Sequence, residues 1–120
     1  MSKRKTRAKT RRRPWKQLAE LCGVMTHDVR ESILIELAVA PRSAHWLANQ
    51  QAMPIATLRR HLRSLIAKDL VVAVATEEPS VYRLGDSAQV LKSKSGVQLD
   101  LSTADGGRLI IERRRPMNRR

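Results

Sequence analysis

Three arginines, Arg59, Arg60 and Arg63, crowd into the stretch PIATLRRHLRSLIAKDLV, residues 54 to 71, among evenly spaced leucines. A guanidinium is planar and always charged, with donors in a fork that fits a phosphate or the acceptor edge of guanine. At about 100° per helical residue, Ile55, Leu58, Leu62 and Leu65 fall on one side. Ala56, Arg59, Arg60 and Arg63 fall roughly opposite. A helix predicted from Pro54 to about Lys68 would bury an aliphatic keel and offer three arginines with one small residue. That small residue lets the backbone come close to a polyanion. Thr57 and His61 flank the two faces.

Other chemistry is sparse. Cys22 is the single cysteine, and His27, His45 and His61 are scattered. Zinc asks for four close ligands, so no metal or other cofactor is expected. One cysteine forms no internal disulfide, which fits a reducing compartment. Cys22, between Leu21 and Gly23, reads as a small core residue. His61 reads as half-buried or phosphate-adjacent. There is no Gly-rich phosphate loop, no H-E-x-x-H and no Ser/His/Asp spacing, so no enzyme is expected.

The charge is unevenly placed. The 120 residues carry 24 Lys and Arg against 11 Asp and Glu, a formal net charge of +13. Eight of the cations lie in KRKTRAKTRRR, residues 3 to 13, and five in RRRPMNRR, residues 113 to 120, with no acid in either. The chain between is neutral overall. A neutral body with cationic ends points to a polyanion, and nucleic acid comes first because each neutralised phosphate releases counterions. Neither end interleaves Trp, Phe or Leu for insertion into lipid, so no membrane partner is expected. The apolar run LVVAVA, 70 to 75, is far too short to cross a bilayer. The basic start is followed by PWKQLAELC, which has no apolar signal core. A cytoplasmic, nucleoid-associated protein is expected.

The elements that would position the arginines follow from pattern and punctuation. Residues 1 to 13 lack core-forming side chains and are expected to be disordered when free. Pro14 opens a short helix with Trp15, Leu18, Leu21 and Cys22 on one face, ending at Gly23. THDVRESILIELAVAP reads as a second helix, with Thr26 or Asp28 as cap and Glu31 completing a capping box. Val29, Ile33, Leu34 and Leu37 carry its period, and Pro41 stops it. Ser43 caps SAHWLANQQ, with Trp46, Leu47 and Gln50 leaning inward, and a turn through Ala52 and Met53 leads to Pro54. With no Phe and one Tyr, the core must be aliphatic, with Trp15 and Trp46 its large pieces. After Asp69 the pattern becomes strand-like. LVVAVAT, the turn EEPS and VYRL read as a hairpin. QVLK, VQLDL and RLIIE read as three further strands, with Gly96 and ADGG, 104 to 107, at the turns. VQLDL alternates as a half-buried strand should. LIIE is more apolar, as an interior or interface strand would be.

A supporting helix, a short helix, a tight turn, a basic helix and a hairpin resemble the winged helix-turn-helix family of the ArsR and MarR type. The resemblance runs over about residues 28–84, through ESILIELAVA, SAHWLANQQ, TLRRHLRSL, AKDLV and SVYRL. It implies an α+β fold, a winged helix-turn-helix with an additional C-terminal strand-rich extension. The expected organisation is a basic arm at 1–13, the winged module at 14–84, a β-rich extension at 85–112 packed on the module or forming a dimer interface, and a basic tail at 113–120.

The resemblance also implies roles. Thr57, Arg59, Arg60 and Arg63 would face the major groove. Arg42 and Ser43, at the start of the preceding helix, would hold phosphates, and Arg83 on the second hairpin strand would touch the flanking backbone. Lys3, Arg4, Lys5, Arg7, Lys9, Arg11, Arg12 and Arg13 would reach phosphates from one end, with Arg113, Arg114, Arg115, Arg119 and Arg120 from the other. The turn lacks the family's usual glycine, with Gln50, Gln51 and Ala52 in its place. Glu77 and Glu78 at the hairpin tip would be repelled by a minor groove, so the tails would make that contact. The expected function is a sequence-specific double-stranded DNA-binding protein, a small homodimeric transcriptional regulator. One alternative is a plasmid or phage DNA-organising protein that binds repeated sites for partition, replication or packaging. Another is a winged helix that docks RNA or protein, with RNA held by the tails.

Overall fold

Helical and alternating patterns sort the chain into an α+β fold of four helices and six strands among the described residues, 16–114, of the computed structural model. Helix α1 spans 16–24, α2 Asp28–Val39, α3 Ala44–Gln51 and α4 Ile55–Ile66. The strands are β1 Arg42–Ser43, β2 Val71–Ala75, β3 Val81–Leu84, β4 Ala88–Ser93, β5 Gly96–Ser102 and β6 Arg108–Arg114. They make two antiparallel sheets, ordered β1-β3-β2 and β4-β5-β6.

Helix α4 is seated as its spacing predicts, with Leu58, Leu62 and Leu65 fully buried. It packs against α3, α2 and β2. Ser43 caps α3, its Oγ accepting from the Trp46 N–H at 3.1 Å. The α3–α4 turn needs a left-handed residue, and Ala52 supplies it at φ 53°. Its N–H donates to Asn49 C=O at 3.2 Å, and the Met53 N–H to Ala48 C=O at 3.1 Å. These paired bonds satisfy carbonyls left open at the helix end, so an alanine stands where glycine would be easier. Asp69, at φ 61°, closes α4 in the same way. Its N–H meets Ile66 C=O, and the Leu70 N–H meets Leu65 C=O, both at 3.0 Å.

The capping box expected for α2 does not form. The N-cap is His27, with no side-chain bond. Asp28 is already inside the helix, and the Thr26 hydroxyl is occupied one turn back, donating to Gly23 C=O at 2.9 Å. Glu31 instead lies 3.6 Å from Arg113, tying α2 to β6. Cys22 is exposed rather than part of the core, because α1 turns Leu21 inward and the next residue lies about 100° away. Trp46 is only partly buried against the core, Gln50 is exposed because Ala44, Leu47 and Ala48 form the buried side of α3, and Trp15 lies outside the described residues.

All five strands expected after Asp69 form, and β1 is an addition. It pairs Arg42 with Tyr82 and Ser43 with Val81, holding the α2–α3 linker to the hairpin. Among the described residues, strand β6 is an edge of its sheet rather than an interior strand. Its apolar look comes from Leu109 and Ile111 packing on the core while Ile110, between them, is 48% exposed. The strand runs through Arg114, so Arg113 and Arg114 belong to the sheet and not to a tail beginning at 113.

Gly85 joins the two sheets at a close crossing. Its N–H donates to Leu70 C=O at 2.8 Å, and a Cβ there would collide with the Asp69 carbonyl oxygen. Leu99 and Leu101 of β5 share one buried cluster with Ile33, Leu34 and Leu62, so residues 85–112 pack directly on the helices.

Candidate nucleic-acid interface

The outer face of α4 divides in two. Arg60 and Arg63 are exposed and make no ion pair among the described residues. They are three apart, neighbours on the helix surface. Arg59 is only partly free. Its Nη2 lies 2.6 Å from Oε2 of Glu78, at the tip of the β2–β3 hairpin. The other carboxylate oxygen of Glu78 lies 3.6 Å from His45 Nε2 on α3. One acidic side chain thus ties the hairpin tip to α4 through Arg59, with His45 of α3 beside it but beyond hydrogen-bond reach. The carboxylate is 62% exposed, so solvent weakens the pairing. Thr57 is half-buried beside this face.

The residues expected on phosphates are arranged less uniformly. The Arg42 guanidinium stacks 4.0 Å from the centroid of the Trp46 ring, a cation–π contact that fixes its plane. Its Nε is buried without a hydrogen-bond partner. The Ser43 hydroxyl oxygen already accepts the Trp46 N–H, so the side chain serves the helix before any ligand. Arg83 is exposed on β3 and donates to Leu84 C=O at 3.0 Å. Arg114 is exposed at the end of β6, and Arg113 faces Glu31. Residues 3–13 and Arg115, Arg119 and Arg120 lie outside the described residues.

Behind the face, His61 links α4 to α2. Its Nδ1 accepts from Arg30 Nε at 3.0 Å, and Arg30 Nη1 donates to Val24 C=O at 2.9 Å. The His27 ring packs edge-on at 5.5 Å. Burial, then the charges of Arg30, His27 and Arg60, hold the His61 pKa below its ordinary value. The neutral ring is therefore the folded form, and it acts as an acceptor bolting α4 in place.

Sequence reasoning did not place His45 or Glu78 in this site. The acidic turn was legible as unfit for a groove, but the partner of Glu78 is 19 residues away on another element. Among the described residues no cluster of His, Cys, Asp and Glu could hold a metal ion, and no helix is long and apolar enough to cross a membrane. No protein-family model matches the chain, and no curated protein matches it.

Proposed function

We propose that residues 28–84 form a winged helix-turn-helix module, with α3 and α4 as the helix pair and β2–β3 as the wing. On this reading the chain is a sequence-specific double-stranded DNA-binding protein, a small transcriptional regulator that works as a homodimer. The observation that carries it is the outward face of α4. Burial of Leu58, Leu62 and Leu65 leaves Arg60 and Arg63 exposed and unpaired among the described residues, next to a tight turn from α3. A helix so seated can lay that face in a major groove, where each arginine reads a guanine edge bidentately. Arg42 and the basic ends add phosphate contacts that fix register without reading sequence. The acidic hairpin tip lies against the helices, so the basic ends, not the wing, take any minor-groove contact.

The test is selection of bound fragments from a random duplex pool, with the footprint measured. The expected outcome is a short motif with two half-sites about one helical turn apart. With about six phosphates neutralised, affinity should fall roughly a thousandfold between low and physiological salt. Enrichment of no motif overturns the reading. The gathering of the net charge of +13 at the two ends favours a second reading, an organiser that coats repeated sites. Long cooperative footprints would support that one. Equal binding of a structured RNA and a random duplex would instead favour a docking module.

A further inference from the structure

Strand β6 carries an open edge whose backbone and side chains match a second copy of themselves. Among the described residues no strand pairs with its outer side. The hydrogen-bonding direction of each β6 residue can be counted from the turn before it. The Thr103 N–H donates to Gly107 C=O at 2.8 Å, and the Gly106 N–H to Thr103 C=O at 3.1 Å. Gly106 takes the positive φ of 99° that this turn requires. Thr103 and Gly107 are therefore a directly bonded pair. Across β5, the Ser102 N–H donates to Ser87 C=O at 2.9 Å, which gives the same phase from the other side.

Antiparallel strands alternate, and the β5–β6 register is unbroken from Ser102↔Arg108 to Gly96↔Arg114. The backbones of Leu109, Ile111 and Arg113 thus face β5. Those of Arg108, Ile110, Glu112 and Arg114 face the open edge. Two copies meeting antiparallel must take both members of every bonded pair from this second set. That parity leaves two registers with good overlap. With Ile110 on the two-fold axis, Arg108 faces the partner's Glu112, and the same pair recurs on the other side of the axis. Leu109 then faces the partner's Ile111, extending the inner apolar row. In the other register Arg108 faces the partner's Arg114 and Ile110 faces the partner's Glu112, which sets like charges opposite and an apolar side chain against an acid.

We infer that this protein dimerises by pairing β6 with β6 of a second copy, antiparallel and centred on Ile110, to make one six-stranded sheet. The pairing flanks the exposed Ile110 with its own copy and satisfies the open backbone groups of Arg108, Ile110, Glu112 and Arg114. Arg108 already holds Asp100 on the same face, and Glu112 of the second copy completes its carboxylate neighbours. The contact is isologous, the same strand of each copy meeting itself, so pairing through β6 closes at two and does not propagate.

Light scattering and sedimentation of the full chain across micromolar concentrations test the inference without DNA, so its failure would remove the homodimer from the proposed function and leave DNA recognition by α4 to its own test. The wild-type chain should be a dimer. Arg108→Glu and Glu112→Arg should each weaken it by about tenfold or more, since each places like charges opposite at both ends of the pairing. Mixing the two variants should restore the dimer, because every charge at the two positions then faces its opposite across the axis. Far-UV circular dichroism checks that both variants fold, and Glu112→Arg leaves the Arg108–Asp100 pair intact. A monomeric wild type overturns the proposal. So does a tighter dimer from Arg108→Glu, which would mark the other register, or a mixture that fails to recover.

Discussion

Arg59 and Arg63 stand one turn apart on the same helix, yet they are in different electrostatic states. Arg59 is held by Glu78 from the hairpin tip, while Arg63, with Arg60, meets no carboxylate among the described residues. Three identical side chains in one sequence motif are therefore not equally available to a ligand. Position along the helix matters less than what the fold brings across from another element. The near half of the face must break an ion pair before it can grip a phosphate or a base. The far half needs only to shed water.

The strongest way to break this contrast is to remove the seat beneath both halves. Leu62 is 1% exposed, and Leu62→Ala should cost about 2–5 kcal/mol of stability by chemical denaturation. Its effect on DNA binding should follow the folded fraction, with no change of preferred sequence. The next largest effect separates the halves. Arg60→Ala and Arg63→Ala should each weaken a selected duplex by about 1–3 kcal/mol, measured by fluorescence anisotropy, and relax preference at one base position. Arg59→Ala should cost less, because its gain in the complex is offset by the contact it leaves. Equal losses at all three positions would erase the distinction.

Glu78 sharpens the same comparison from the other side. Glu78→Gln removes the ion pair that holds Arg59 and takes a negative charge from the face. An exposed pair of this kind contributes at most about 1 kcal/mol to stability, so the fold should be little affected. DNA affinity should rise several-fold at low salt, and the gain should fade as salt is added. Weaker binding by Glu78→Gln would mean that the hairpin tip positions the helix productively rather than competing for it.

The free half of the face was legible in the sequence and the held half was not, and the reason is range. The seat of α4 follows from leucines three or four apart, and the Ser43 cap from a hydroxyl three residues before its donor. Both are local rules. The Glu78–Arg59 bridge and the Arg113–Glu31 contact join elements that only the completed fold brings together. β1 is two residues long, too short for any alternation to register. Strand order is hidden for a related reason. The apolar run in β6 reports that one side of each residue faces a core, but not how many neighbours the strand has. Cys22 exposes a limit even of local rules, since Leu21 and Cys22 lie on adjacent helical positions and α1 has room to bury one of them.

The turn offers a smaller effect that acts on both halves alike. Ala52 holds a left-handed conformation that costs an L-residue about 1–2 kcal/mol, and glycine adopts it freely. Glycine loses more entropy on folding, which returns part of that gain. Ala52→Gly should therefore stabilise by about 0.5–1 kcal/mol, read as a higher denaturant midpoint with unchanged slope. DNA affinity should not move. A destabilised variant would mean that the Ala52 methyl contributes more packing than its exposed position indicates.

The mildest expected effect is set by pH and concerns the bolt behind the face. His61 is neutral in the folded chain because burial, Arg30, His27 and Arg60 all oppose its protonation. A proton on Nδ1 would also set one donor against another, since Arg30 Nε already donates there. In the unfolded chain the ring titrates near its ordinary value of 6.5. Between that value and the lower folded one, the unfolded state binds more protons, so stability rises with pH across the window. The contribution is complete above about pH 6.5 and drains away as pH falls toward the folded value. Glu31 works in the opposite sense, because burial raises its pKa against the pull of Arg113, so the folded chain takes up its proton more readily than the unfolded one. The wild-type profile therefore mixes the two, and a variant isolates the histidine. His61→Gln keeps a hydrogen-bond acceptor for Arg30 but cannot titrate. Its denaturant midpoint should be flatter than that of the wild type below pH 6.5, and identical profiles would mean that the α2–α4 bolt tolerates a charged ring.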